Sequence, residues 1–422
     1  MCGRPAYVRG KVGVRALRRS PAAAATEPAT AVSGSRGRGS RVPVRSQSGV
    51  VPGDQTHRTS PAATVGVMSV TSMAGGAPAG VPDPRSGADL PFGPLGVDPR
   101  GSRRSRAVNA YLTRATWPLM AAAGRSHPRI TAQMIQRARP GLNRTIERLG
   151  PPPRETRVQP VRESFRGGQV RGEWVVGRRA PQPRPGERIV YYLHGSGYVV
   201  CSPRTHRGLV ARIGNLAEVP AFSLDYRLAP EYPWPCAGND TIRGYRWLLE
   251  QGYRAEDIVI AGDSAGGHLA LDLLYVNHCT GTPQPGSMVL FSPLYDPTFE
   301  LAVQNQLGGV RDPIINAVSA RKILSLYTRT AEADHPRMRV RLRPDMTLPK
   351  TLIQYGALEV MGADARALHG EITSAGGLSV LQAWPDQGHV FQLMPQLSSE
   401  ARHAVETAAR FITVTAPERA GG

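Results

Sequence analysis

The sequence predicts an α/β fold built on a mostly parallel, doubly wound sheet. Short apolar runs rich in β-branched residues alternate with segments of helical spacing from residue 188 onward. Each connection between successive runs is long enough to cross between parallel strands. Two or three helices are expected before this sheet, because residues 105–150 carry apolar side chains at helical spacing.

The predicted elements follow in order along the chain. The early helices are expected to break at Pro118, Pro128 and Pro140, since proline removes a helical hydrogen bond. An antiparallel pair of strands, residues 158–161 and 172–177, then turns at a Gly-Gly pair. The sheet continues with strands 188–193, 219–224, 257–261, 287–291, 351–355 and 379–383, and with helices 205–216, 236–250, 265–277, 363–375 and 398–411.

Residues 1–104 have a different composition from the rest of the chain. They consist mostly of Ala, Pro, Gly, Ser, Val and Arg, so we predict a disordered extension that cannot bury an apolar face. Fifteen basic against five acidic residues give it about half of the net charge. Its composition resembles an organellar transit peptide. An extension without function, or a true start at Met68 or later, is the alternative that we favour.

The global composition excludes several classes of protein. The formal charge is +20, but every basic residue except Lys11, Lys322 and Lys350 is arginine, and no recognised nucleic-acid module is present. We therefore predict no nucleic-acid partner. The four cysteines, Cys2, Cys201, Cys236 and Cys279, lack the spacing of a disulfide framework or a metal site. No apolar run is long enough to span a membrane and the first residues do not have the layout of a signal peptide, so we expect a cytoplasmic protein without integral membrane segment.

One strand ends in a glycine-bracketed serine. The apolar run from Ile258 leads into Gly262-Asp263-Ser264-Ala265-Gly266-Gly267. The leucines that follow are frequent enough to indicate a buried helix. A strand that turns sharply into a helix at G-x-S-x-G leaves the serine Oγ exposed, and the helix N-terminus favours an oxyanion beside it. We therefore predict that Ser264 is a nucleophile. The alternative is a glycine-rich turn with an incidental serine.

A serine nucleophile needs a base and an acid that orients the base. His389 is the best candidate base, because it lies on a loop directly after a predicted strand, where active-site loops of such sheets gather. The rival histidines His335, His369 and His403 lie in a polar loop or within helices. Glu359 is the preferred acid, since it lies nearest the end of strand 351–355. Asp364 remains the alternative and is expected to cap the following helix.

An oxyanion hole requires backbone N–H groups that converge on one point. Ala265, directly after the serine, is expected to supply one of them. The turn Leu193-His194-Gly195-Ser196-Gly197 follows an earlier strand, and the amides of Gly195 and Ser196 are our candidates for the others. Asp263 is adjacent to the nucleophile and cannot reach behind the histidine, so we expect it to brace the loops.

Four motifs together resemble the hormone-sensitive-lipase-like esterases of the α/β-hydrolase superfamily, in the GDSAG branch. The motifs are HGSG at residues 194–197, DYRLAPEYP at 225–233, GDSAGG at 262–267 and GHVFQ at 388–392. The resemblance covers residues 158–411. It departs from the usual family pattern at Ser196, which replaces the middle glycine of HGGG, and at Glu359, where many relatives carry aspartate.

The resemblance implies an α/β-hydrolase fold in which residues 105–150 form a helical cap and residues 151–415 the catalytic domain. It also implies cofactor-free hydrolysis of small-molecule acyl esters by Ser264, His389 and Glu359, with Asp225 and Arg227 paired beneath the site. Amide hydrolysis or acyl transfer by the same triad stays open. A receptor on this fold is disfavoured, because such receptors lack the histidine that His389 supplies. A homodimer also stays open.

Overall fold

The computed structural model describes residues 100–332 and 334–417 of the 422-residue chain, with no side-chain detail for residues 119–123. The disordered extension predicted for residues 1–104 therefore lies almost wholly outside the described residues, as does the alternative start at Met68. At the end of that range, Arg103 and Arg104 already belong to the first helix.

The core of the described residues is an eight-stranded sheet in the order β1-β2-β4-β3-β5-β6-β7-β8. The first two strands form the expected antiparallel pair, β2 also runs antiparallel to β4, and the remaining neighbours are parallel. The predicted doubly wound, mostly parallel sheet is confirmed. The strands are β1 Arg157–Phe165, β2 Gly168–Val176, β3 Ile189–Leu193, β4 Ala221–Leu224, β5 Ile258–Asp263, β6 Ser287–Phe291, β7 Lys350–Gly356 and β8 Ser379–Trp384.

Helices cover both faces of the sheet. Successive residues of a strand point to opposite faces, so Tyr192 belongs to one buried apolar cluster and Tyr191 to the other. The helices that follow the first strand pair are α3 Pro203–Ala217, α4 Cys236–Glu250, α5 Ala265–Thr280, α6 Glu300–Leu307, α7 Ala317–Thr328, α8 Gly362–Ser374 and α9 Ser399–Val414. Helices α6 and α7 lie in a segment for which the sequence predicted no element. Among the described helices, none has the length and apolar character to cross a membrane.

An N-terminal helix pair precedes the sheet and consists of α1 Arg103–Arg125 and α2 Pro128–Leu149. Only Pro128 separates helices, at a first-turn position where its missing N–H costs nothing. The breaks predicted at Pro118 and Pro140 are wrong, because both prolines lie inside helices. In each case the preceding side chain is anchored to the body of the protein. These contacts offset the lost helical hydrogen bond.

The anchor beside Pro118 is Trp117, whose Nε1 donates to the carbonyl oxygen of Asp312 at 2.9 Å. The anchor beside Pro140 is Arg139. Its guanidinium donates to the carbonyl oxygens of Val199 and Ala229, at 2.8 Å each, and forms a two-pronged ion pair with Glu231 at 2.9 Å. The planar fork of arginine fits such a set of acceptors, so this one side chain fixes α2 to two loops of the sheet domain.

We expect Arg139→Ala to lower the free energy of unfolding by about 2 kcal/mol, because it leaves Glu231 and two carbonyl oxygens without their charged donor. Urea unfolding monitored by circular dichroism measures the change. Arg144→Ala is the matched control: Arg144 is an exposed residue of the same helix and should change stability by less than about 0.5 kcal/mol. Equal losses in the two variants would contradict this role of Arg139.

Candidate active site

Ser264 occupies a sharp turn between β5 and α5. Its backbone has φ 49° and ψ −118°, a positive-φ conformation that costs energy for any residue with a side chain. A Cβ atom at Gly266 would collide with the carbonyl oxygen of Leu193, and one at Gly262 would lie 2.9 Å from that same oxygen. The glycines therefore allow β3, β5 and α5 to approach closely, which holds the partly exposed serine at the carboxyl end of the sheet.

His389 and Glu359 meet at the same end of the sheet. The Nδ1 atom of His389 lies 2.8 Å from Oε2 of Glu359, and both side chains are largely buried. Glu359 follows β7 and His389 follows β8, so the pairing of these parallel strands brings the two loops together. A carboxylate at Nδ1 holds the proton on that nitrogen and leaves Nε2 free to accept one.

The two side chains alter each other's ionisation. Burial lowers the pKa of the His389 imidazole, but the hydrogen bond and charge of Glu359, aided by the charges of Asp312 and Asp263, outweigh it and raise the pKa above its usual value. Burial raises the pKa of Glu359, and the bond to His389 opposes that rise. The Glu359 carboxylate therefore stabilises the imidazolium that forms when His389 takes up a proton.

Two polar residues that the sequence analysis missed connect the site loops. Ser292, directly after β6, accepts a hydrogen bond from the Val390 N–H at 3.0 Å, and its neighbour Phe291 accepts one from the Ser264 N–H at 3.0 Å. The end of β6 therefore contacts both the serine turn and the histidine loop. Ser292 could have been found from its place directly after a predicted strand at the active edge of the sheet.

The other missed residue is Asp312, a buried aspartate in the segment between α6 and α7. Its Oδ2 accepts the Val360 N–H at 3.0 Å, next to Glu359, and its Oδ1 accepts the N–H groups of Ile314 and Ile315 at 2.8 and 2.9 Å. Asp312 thus ties the acid loop to a segment that also receives Trp117 of α1. No local pattern marks it, because it follows no predicted strand.

Asp364 does not contact His389. The predicted helix-capping role is wrong, since α8 begins at Gly362 with Met361 at the cap. Asp364 lies in the first turn, where its Oδ1 accepts the N–H groups of Tyr295 and Asp296 at 3.0 and 2.9 Å. Burial raises its pKa to about 7. The structure therefore places Glu359, and not Asp364, against the imidazole.

The carboxylate of Asp263 organises the glycine turn after β3. It accepts hydrogen bonds from the Tyr192 hydroxyl at 2.8 Å and the Gly195 N–H at 2.9 Å, and it lies 3.2 Å from Nε2 of His206. The expected bracing role of Asp263 is confirmed. The Gly195 N–H, which the sequence predicts as an oxyanion donor, here donates to this buried carboxylate.

The next amides along the turn are differently placed. Among the residues described, none accepts a hydrogen bond from the N–H of Ser196 or Gly197, and Gly197 has a φ of 56°. Ala265 begins α5, so its N–H has no partner within the helix. The Ser196 hydroxyl lies 3.2 Å from the hydroxyl of Tyr226, which in turn donates to the carbonyl oxygen of His194.

The DYRLAPE segment braces the site differently from the expected pairing of Asp225 with Arg227. Arg227 instead forms a two-pronged ion pair with Asp240 of α4, at 2.8 and 2.9 Å. Asp225 faces Arg171 of β2 at 3.9 Å. The expected pair is wrong because these two residues face separate partners contributed by distant parts of the chain.

Known proteins resemble this chain in sequence and in structure. Residues 190–393 match the sequence model of a protein family whose description is "alpha/beta hydrolase fold". An acetyl-hydrolase of Streptomyces hygroscopicus is 34% identical over 252 residues, which are 60% of this chain and 82% of the relative. The carboxylesterase/phospholipase LipF of Mycobacterium tuberculosis is 34% identical over 247 residues, 56% of this chain and 65% of that protein. A crystal structure of an esterase from the bacterial hormone-sensitive lipase family has a TM-score of 0.62 at 30% identity, covering 75% of this chain and 99% of the other.

The serine turn, the order of the sheet and these matches define a class, the α/β hydrolases of the carboxylesterase and lipase type. Within that class the chain belongs to the hormone-sensitive-lipase-like esterase family and is a carboxylic ester hydrolase. The family and fold that the four motifs predicted are confirmed.

We expect Gly195→Ala to lower the free energy of unfolding by about 3 kcal/mol, because its Cβ would collide with the carboxylate of Asp263 and lie 2.8 Å from that residue's carbonyl oxygen. Gly197→Ala is the control: it meets no atom within 4 Å and should cost only the ~1–2 kcal/mol of a left-handed alanine. Chemical unfolding of both variants measures the difference. A smaller loss at Gly195 than at Gly197 would be inconsistent with the close contact to Asp263.

Proposed function

We propose that the chain hydrolyses acyl esters through a triad of Ser264, His389 and Glu359. The observation that carries this proposal is the 2.8 Å contact between His389 Nδ1 and Glu359 Oε2 at the edge of the sheet where the serine turn lies. The Ser264 Oγ attacks the ester carbonyl while His389 Nε2 takes its proton. His389 then returns the proton to the leaving alcohol. Water, activated in the same way, releases the acid and regenerates the serine.

The proposed oxyanion hole consists of the amides of Ser196, Gly197 and Ala265. Two features support this set: the Gly195 amide is bound to Asp263, and the next two amides of the turn have no acceptor in the described part of the chain. Ala265 adds the positive end of α5. Because backbone N–H groups supply the donors, serine in place of the middle family glycine leaves this chemistry intact.

We also propose that the N-terminal helix pair is the cap of the active site. Asn109 of α1 donates to the carbonyl oxygen of Asp386, three residues before His389, at 2.6 Å. Arg139 of α2 binds Val199 and Ala229, beside the glycine turn. Both loops of the proposed site therefore touch this pair. The name of the Streptomyces relative, acetyl-hydrolase, favours small acyl groups as the first substrates to test.

Ser264→Ala should abolish hydrolysis of p-nitrophenyl acetate, with a loss of about 10³-fold or more in kcat, because no other group replaces the nucleophile. Glu359→Gln should lose about 10²-fold or more, since it removes the charge that stabilises the imidazolium. Asp364→Asn is the matched acid control and should retain activity within about threefold, because Asp364 does not touch His389. Undiminished turnover in Ser264→Ala would overturn the proposal.

The pH profile of kcat/KM provides an independent test. His389 must be neutral to accept the serine proton, so activity should fall as the pH drops through the pKa of His389, which is raised above the usual histidine value. In Glu359→Gln the carboxylate charge is absent, so the pKa of His389 should fall and the acid limb of the residual activity should move to lower pH. An acid limb at the same pH in both proteins would contradict the assigned pair.

A further inference from the structure

The positive charge of the described chain is concentrated in the N-terminal helix pair. Residues 103–149 contain ten arginines and one acidic residue, Glu147. From residue 150 to the end, 29 basic residues stand against 26 acidic ones. The sheet domain is therefore close to neutral, whereas 47 residues in two helices carry a net charge of +9. Such a difference creates a strong local positive potential.

The outward face of α2 also exposes apolar side chains. Ile130, Met134, Ala138 and Leu142 follow one another at four-residue spacing, which places them in one row along the helix. Ile130, Met134 and Leu142 remain 52%, 46% and 45% exposed. A row of this kind on a charged helix is the pattern of helices that lie in a membrane interface.

A row of arginines runs beside these side chains. Arg137, Arg144 and Arg148 are exposed and lie at seven- and four-residue spacing, which places them in one row along the helix. Arg137 is three residues from Met134 and so borders the apolar row, and Arg144 and Arg148 continue the arginine row along the adjoining exposed face. None of the three forms an ion pair with any residue in the described ranges, in contrast to Arg139, which points inward to Glu231. We call the two rows together the α2 surface. It offers apolar contact and unpaired positive charge side by side.

We propose that the α2 surface docks on membranes that contain anionic phospholipids. A second copy of the chain is a poor occupant, since a symmetric contact would bring two arginine rows together. The N-terminal extension is equally poor, because residues 1–102 contain thirteen basic and five acidic residues. The exposed apolar row would gain nothing from a nucleic-acid backbone. An anionic lipid surface satisfies both rows, its headgroups facing the arginines and its acyl region the apolar side chains.

Docking in this way would place the proposed ester site close to lipid. The helix pair contacts the loop before His389 through Asn109 and the loops around the glycine turn through Arg139. Membrane binding itself depends only on the α2 surface. It can therefore be tested without any assumption about catalysis, and its failure would leave the proposed triad untouched.

Co-sedimentation of the full chain with vesicles tests the proposal. Wild type should bind equimolar phosphatidylcholine and phosphatidylglycerol vesicles, bind pure phosphatidylcholine vesicles far less, and lose binding in high salt. Arg137→Gln with Arg144→Gln and Arg148→Gln should weaken partitioning about a hundredfold, since each arginine near an anionic surface contributes a factor of about five. Met134→Gln with Leu142→Gln should weaken it about tenfold or more.

Matched controls separate this surface from the general charge. Arg162→Gln with Arg184→Gln and Arg339→Gln removes three exposed arginines from the sheet domain, and Leu378→Gln with Val414→Gln removes two exposed apolar side chains there. Both controls should bind vesicles as wild type does, and thermal unfolding verifies that every variant is folded. The proposal is overturned if the arginine triple and its control bind alike, as they would if the extension alone bound lipid. It is overturned equally if the α2 variants alter self-association or RNA binding while vesicle binding is unchanged.

Discussion

The buried carboxylate of Asp263 is the constraint on which the arrangement of the site depends. Burial by itself raises the pKa of this group, but His206, the Tyr192 hydroxyl and the Gly195 N–H bind the ionised form and lower the pKa below its usual value. Asp263 is the last residue of β5 and directly precedes the serine. Because it binds the Gly195 N–H, it joins the turn after β3 to the turn that holds Ser264.

The rest of the site repeats this arrangement on neighbouring strands. At the carboxyl ends of β6, β7 and β8, a side chain from one loop binds the backbone of another: Ser292 binds Val390, and Asp312 binds Val360 beside Glu359. Each proposed catalytic group is thus held by a polar contact from a different element. Such supporting contacts position reactive side chains more accurately than the loops could alone.

Much of the fold and part of the site could be predicted from sequence because their causes are local. Alternation of buried strands and helices, and the glycines around Ser264, are properties of short segments, and the pairing of β7 with β8 brings Glu359 to His389 as expected. The errors arise where distant contacts decide. The Gly195 N–H donates to the carboxylate of Asp263, and Arg227 forms its ion pair with Asp240 of α4. Pro118 lies within a helix because Trp117 is anchored elsewhere.

Three residues around the site, Ser264, Ser292 and Val390, have positive φ angles of 49°, 47° and 47°. None is glycine, and a β-branched valine is especially unfavourable in this region. Each such residue costs of order 1–3 kcal/mol, so the active edge of the sheet is less stable than its backbone could be. Selection for heat resistance alone would favour glycine at these positions and would remove the serine hydroxyl in doing so. Thermal robustness and ester chemistry therefore compete for the same few backbone angles.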